Sequence, residues 1–250
     1  MKGMDKLLRD GKAMFLAYDQ GLEHGPIEFN DSNVNPKDII SIAKKGKFTG
    51  VIFQKGIAEQ YRGEIKKSGV PLIIKLNGKT NLSKGEPLST QLCTVKEALK
   101  LGASAVGYTI YLGSEHEGVM FHEFAEIERE AHLNNIPVIV WIYPRGKGIE
   151  GKDSGMLLAY SARVALEIGA DMVKLHWNGN KKDLEWAVKA AGKTKVVIAG
   201  GTKTDTKNFL KEVKDIMDCG VCGLAIGRNV WQAKEPLKVA EKVREIIWNN

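Results

Sequence analysis

The sequence predicts a closed α/β barrel, (β/α)₈, on three observations. Its 250 residues match the ~250 typical of one such barrel. Eight short apolar, β-rich runs alternate with eight stretches of helical periodicity. The strict β-then-α order calls for parallel strands, and eight units favour closure over an open doubly wound sheet.

The strand runs are Met14–Tyr18, Gly50–Gln54, Leu72–Leu76, Ala105–Tyr111, Val138–Tyr143, Met172–His176, Val196–Ala199 and Gly223–Ile226. The helical stretches are Pro36–Lys45, Ile57–Lys67, Thr94–Leu101, Val119–Asn134, Met156–Ile168, Lys182–Ala190, Asp205–Met217 and Trp231–Trp248. Thr94 with Glu97 reads as a capping box, in which each side chain satisfies a backbone N–H of the first turn. Gly69, Gly102, Gly169 and Gly220 stand where helix C-termini turn into the left-handed region. No Ser/Pro-rich linker or shift in composition divides the chain, so residues 1–250 are expected to form one barrel domain.

Composition narrows the function classes. The chain is 43% hydrophobic and 27% charged, ordinary for a globular protein. The longest apolar run, Val138 to Tyr143, is far short of the ~20 residues that span a bilayer, and no signal segment opens the chain. A cytoplasmic protein with no membrane partner is expected. Three cysteines are too few for a disulfide framework. The formal charge is +7, but acidic residues interleave with the basic ones, which argues against nucleic acid and leaves anionic small molecules as partners.

In such barrels chemistry sits at the C-terminal ends of the strands. Lys174 is the most informative residue there, because a lysine inside an apolar strand cannot reach water easily. Burial disfavours the ammonium form, and a neutral amine can condense with a ketone to an imine, an electron sink for breaking a neighbouring carbon-carbon bond. The alternative is a buried ion pair with a strand-end carboxylate such as Asp19. Lys75 and Lys55 are rival lysines, and strand position does not choose among the three. Trp141 and Tyr143, two apart on the fifth strand, share a face, and the phenol could exchange protons with a substrate. Asp19 could orient a hydroxyl or balance a cationic imine.

The seventh and eighth strands end in Gly200-Gly201 and Gly227-Arg228, where barrels of this kind bind phosphate on backbone N–H groups. Arg228 and Lys203 would add charge there, and Arg145 and Lys147 in the fifth loop could hold a second anionic group. Other signals fail. His116-Glu117 and His122-Glu123 put the histidines on different helix faces, so no metal site is expected. Cys219-x-x-Cys222 lacks a second pair and reads as packing, His24, His132 and His176 are too scattered for a triad, and neither a dinucleotide fingerprint nor a Walker loop is present.

Five segments together resemble the archaeal-type class I fructose-bisphosphate aldolases, often called the DhnA family. They are Asp19-Gln20-Gly21-x-Glu23-His24-Gly25, Trp141-x-Tyr143-Pro144-Arg145-Gly146, Ala170-Asp171-x-Val173-Lys174, Gly200-Gly201-x-Lys203-Thr204 and Gly227-Arg228-Asn229. The resemblance implies a TIM-barrel enzyme that needs no metal or cofactor and assembles as a homo-oligomer, often a decamer. It matches Lys174 to the imine-forming lysine, Tyr143 to the acid/base group, and Asp19 and Trp141 to residues beside the sugar-phosphate substrate. The glycines and Arg228 would hold the dihydroxyacetone-phosphate half; Arg145 and Lys147 are placed near the distal phosphate by charge and location alone. Family members that use the same residues as synthases on other sugar phosphates are the alternative, and Trp141 favours the aldolase. A non-catalytic phosphosugar-binding barrel is a third reading.

Overall fold

A computed structural model describes residues 3–201 and 203–249. Eight parallel strands, β1 (Ala13–Ala17), β2 (Gly50–Gln54), β3 (Leu72–Lys75), β4 (Ala103–Ile110), β5 (Val138–Ile142), β6 (Met172–Leu175), β7 (Lys195–Ala199) and β8 (Gly223–Ile226), close into a barrel in the order β1-β8-β7-β6-β5-β4-β3-β2. The fold class expected from the apolar runs is the one observed. Every residue of β1, β3, β5, β6 and β8 is buried, as strands covered by helices outside and packed within must be.

Helix ends follow local chemistry. Thr94 and Glu97 form the expected capping box, and Gly69, Gly102, Gly169 and Gly220 all take φ between 73° and 87°. Two helical stretches are broken where periodicity alone suggested continuity. Tyr61 (φ −110°, ψ 22°) separates Lys55–Gln60 from Arg62–Ser68. The last stretch, expected over Trp231–Trp248, starts only at Pro236, while Trp231 ends a separate short helix, Arg228–Trp231, because proline starts a helix readily but cannot continue one. The loop after β3 adds a short antiparallel pairing of Asn77–Gly78 with Thr90–Gln91. Buried Asn77 ties this loop to the barrel, donating to the carbonyls of Ser89 (2.9 Å) and Thr109 (2.8 Å) and accepting from the Thr109 N–H (2.8 Å).

Register sets the interior of the barrel. Trp141 lies opposite Thr109 of β4 and Lys174 of β6, and Lys174 lies opposite Val197 of β7. Partners across parallel strands point the same way, so Trp141 and Lys174 both face inward. The indole fits because position 107 is glycine: a Cβ there would stand 1.8 Å from the Trp141 ring. Cys219 and Cys222 are both free; each thiol donates to a backbone carbonyl, of Asp215 (3.2 Å) and Gly11 (3.3 Å) respectively.

Candidate active site

A cavity of about 520 Å³ opens at the C-terminal ends of the strands. It gathers Asp19 from the end of β1, Lys75 from β3, Tyr143 and Arg145 from beyond β5, Lys174 and His176 from β6 and its end, Gly200 and Gly201 after β7, and Gly227 and Arg228 after β8.

Lys174 is 6% exposed and makes no ion pair among the described residues. Its Nζ stands 5.3 Å from the centre of the Trp141 ring. Burial, and then the charge of Lys75, outweigh the attraction of Asp19 and Glu23 and lower its pKa from 10.5 to about 8. The carboxylate that could have paired with it is held elsewhere: Asp19 Oδ2 lies 3.6 Å from Lys75 Nζ, both side chains nearly buried. Burial alone would push the Asp19 carboxyl upward, but Lys174 and Lys75 together with hydrogen bonds hold it below its usual range. The third lysine, Lys55, sits outside the cavity, donating to Glu97 at 2.5 Å.

Tyr143 is buried beside these groups. Desolvation, with the negative fields of Asp19 and Glu23, raises its phenol well above 10 and keeps it protonated. Its ring stacks on His176 at 4.4 Å between centroids and 30° between planes. The Arg145 guanidinium stands 5.7 Å from the centre of the Tyr143 ring and 5.3 Å from that of Tyr111, and donates to Glu23 at 2.8 Å. Burial raises the Glu23 carboxyl, but Lys75 and Arg145 pull it below its ordinary value.

On the opposite side of Lys174 the chain presents backbone. Gly201 has φ +67°, which a side-chain-bearing residue adopts only with strain. A Cβ on Gly227 would come 3.0 Å from the Ala17 carbonyl oxygen. Asn229 fixes this corner, donating to the Gly200 carbonyl (2.6 Å) and accepting from the Thr204 N–H (3.0 Å). Arg228 donates to Glu28 and, at 3.3 Å, to the Gly201 carbonyl. Glu28 also meets His24 at 3.1 Å.

Three residues expected in the site are placed otherwise. Trp141 lies behind Lys174, 1% exposed and not on the cavity wall, with no acceptor for its indole N–H among the described residues. Lys203 turns its Nζ to the Gln232 carbonyl at 2.6 Å. Lys147 lines a separate cavity of about 440 Å³ beside Glu86 and Tyr160. Conversely, Glu23 and His176 line the main cavity. Glu23 belongs to the first strand-end motif, where the sequence assigns it no role, and His176 is one of the scattered histidines. Its signal was its distance from Lys174: two residues along the chain, hence the same face.

Residues 13–233 match the sequence profile of the DeoC/LacD family of aldolases. This chain belongs to that family. Among relatives, the class 1 fructose-bisphosphate aldolase of Thermoproteus tenax is 48% identical over 243 residues, 96% of this chain and 91% of the relative. A Methanocaldococcus jannaschii protein named fructose-bisphosphate aldolase/6-deoxy-5-ketofructose 1-phosphate synthase is 36% identical, covering 96% of this chain and 81% of its own. Among solved structures, an archaeal fructose-1,6-bisphosphate aldolase with its catalytic lysine covalently bound to the carbinolamine intermediate superposes with a TM-score of 0.92. It shares 46% identity over 98% of this chain and 99% of that one.

Proposed function

We propose that this DeoC/LacD-family barrel is a Schiff-base aldolase that reversibly cleaves fructose 1,6-bisphosphate to dihydroxyacetone phosphate and glyceraldehyde 3-phosphate, with Lys174 forming the imine. The observation that carries this reading is an inward-facing lysine with no ion pair among the described residues and a pKa of about 8. About a tenth of it is neutral amine at pH 7, against roughly one part in a few thousand for an ordinary lysine. Lys75, the other buried lysine of the cavity, is paired with Asp19.

In this reading Lys174 attacks the keto carbon, and the carbinolamine hydroxyl leaves as water with the Tyr143 proton, giving the iminium. The phenolate so formed, lying near the new cation, takes the proton of the C4 hydroxyl as the C3–C4 bond breaks. Glyceraldehyde 3-phosphate departs; the bonding pair remains as the enamine, which Tyr143 reprotonates at C3 before water releases dihydroxyacetone phosphate. Asp19 balances the iminium and fixes a substrate hydroxyl together with Lys75, and the Trp141 ring backs Lys174 from behind the cavity wall. Gly200, Gly201, Gly227 and Arg228 hold the near phosphate. Arg145 is the cation placed for the distal one, while Lys203 and Lys147 point elsewhere.

Borohydride reduction in the presence of dihydroxyacetone phosphate should trap one covalent adduct, mapped by peptide mass to Lys174. An adduct on Lys75 alone, or unimpaired turnover in Lys174→Met, would reject the assignment. The bifunctional Methanocaldococcus relative favours, as a second reading, a synthase acting on a related sugar phosphate; no turnover of fructose 1,6-bisphosphate alongside turnover of another ketose phosphate would select it. Self-association into a homo-oligomer and a cytoplasmic location belong to the same proposal. Supporting them are the exposed Met156, Tyr160 and Trp186 on neighbouring helices, and described helices none of which is long and apolar enough to cross a membrane.

A further inference from the structure

His176 has no part in the chemistry above, yet it occupies a prominent place on the cavity wall. It follows Lys174 by two residues, so its side chain emerges on the same face, one step nearer the mouth. One face of the ring is stacked on Tyr143 at 4.4 Å, which fixes the imidazole plane. The residue is exposed to the cavity, and neither ring nitrogen hydrogen-bonds a described residue.

The layout of the barrel says which part of a substrate it meets. The glycine corner after β7 and β8 lies on one side of β6, and Tyr143, Arg145 and the end of β5 lie on the other. A ketose anchored by one phosphate at the glycines and by its keto carbon at Lys174 must run its remaining carbons past His176 toward Arg145.

The surrounding protein, then Lys174 and Arg145, push the imidazole pKa down. An uncharged ring is a poor phosphate ligand, but it offers one N–H and one lone pair, the complement of an alcohol.

Resting on the aldolase reading, we propose that His176 is a specificity-determining residue that contacts a hydroxyl on the aldehyde-derived half of the substrate, held in place by its stack on Tyr143. A hydrogen bond between neutral groups carries about tenfold in discrimination, and more where the unsatisfied partner is left dry.

The test uses the full chain in the condensation direction. Dihydroxyacetone phosphate is paired with glyceraldehyde 3-phosphate or with 3-oxopropyl phosphate, which differs only in lacking the hydroxyl next to the aldehyde. The unaltered enzyme should prefer the hydroxylated acceptor by at least tenfold in kcat/KM. His176→Phe retains an aromatic ring for the stack and should bring that ratio to within about threefold of unity, chiefly by lowering kcat/KM for glyceraldehyde 3-phosphate. Borohydride trapping of dihydroxyacetone phosphate should be unchanged, which shows that the barrel, Lys174 and the near phosphate site are intact. His176→Gln, which keeps a donor and an acceptor, should recover part of the preference. A preference undiminished in His176→Phe overturns the proposal, as does an equal loss with both acceptors. Absence of any adduct in the unaltered enzyme would instead sink the aldolase reading, and this assignment with it.

Discussion

Replacing Lys174 with methionine should make the protein more stable while ending its activity. The depression of the Lys174 pKa from 10.5 to about 8 means that the folded state disfavours the ammonium by about 3 kcal/mol relative to the unfolded chain. The side chain is 6% exposed, so bulk solvent does little to relieve this cost. Below pH 8 both states bind the proton and the whole penalty is present. Between pH 8 and 10.5 the unfolded lysine remains protonated while the folded one does not, so the stability of the unaltered protein rises with pH. Above 10.5 neither state is charged and the penalty is gone. Methionine matches the length of the lysine stem and carries no charge, so the variant should gain up to about 3 kcal/mol at pH 7, less what its packing beside Trp141 differs. The gain should fade as pH rises through 8 to 10.5. Urea unfolding of both proteins at pH 7, 9 and 10.5, with matched ionic strength, measures this directly. A variant no more stable at pH 7, or a difference that does not change with pH, would refute the idea that Lys174 is held charge-depleted by burial.

Two further outcomes follow from the packing and charge of the same region. Gly107→Ala would drive a methyl to within 1.8 Å of the Trp141 ring, where ordinary contacts begin near 3.4 Å, so the rigid indole must move; an overpacking loss of about 1–3 kcal/mol is expected in denaturant titration, largely restored by adding Trp141→Leu. Glu28→Gln removes the carboxylate held by Arg228 and should tighten competitive inhibition by inorganic phosphate about fivefold, the measure of one partly exposed ion pair; unchanged inhibition would show that Arg228 does not meet the phosphate.

The strands were readable because burial on both faces leaves an unbroken apolar run, and two of them, Gly50–Gln54 and Gly223–Ile226, have the very limits the sequence suggested. Helix breaks were less readable. Nothing in the apolar spacing across Tyr61 distinguishes one long helix from two short ones, and the same spacing runs on across the interruption before Pro236 although proline announces it. Strand-end chemistry could be listed from sequence, but direction could not. Lys203 and Lys147 follow strand ends just as Arg228 and Arg145 do, yet the first reaches a backbone carbonyl and the second a different cavity. Likewise the choice between Lys174 and Lys75 depends on which of them takes Asp19, a contact between β1 and β3 that no local pattern encodes.

That choice is part of a wider balance of charge. Four lysines and arginines line the cavity, and three of them hold a carboxylate: Lys75 has Asp19, Arg145 has Glu23 and Arg228 has Glu28. Lys174 is the one without a partner among the described residues, and an unpartnered buried ammonium is the species most easily relieved by losing its proton. The pairing that leaves Lys174 unpartnered is therefore what supports the proposal that it is the nucleophile. Both arginine partners, Glu23 and Glu28, come from the single segment after β1, so a bisphosphate that engages Arg145 and Arg228 must compete with two carboxylates of the same loop. An incoming dianion carries more charge than either glutamate and is favoured in that exchange. In the proposed reaction the seated phosphates add negative charge to the cavity, which offsets the cost of the iminium as the imine becomes cationic.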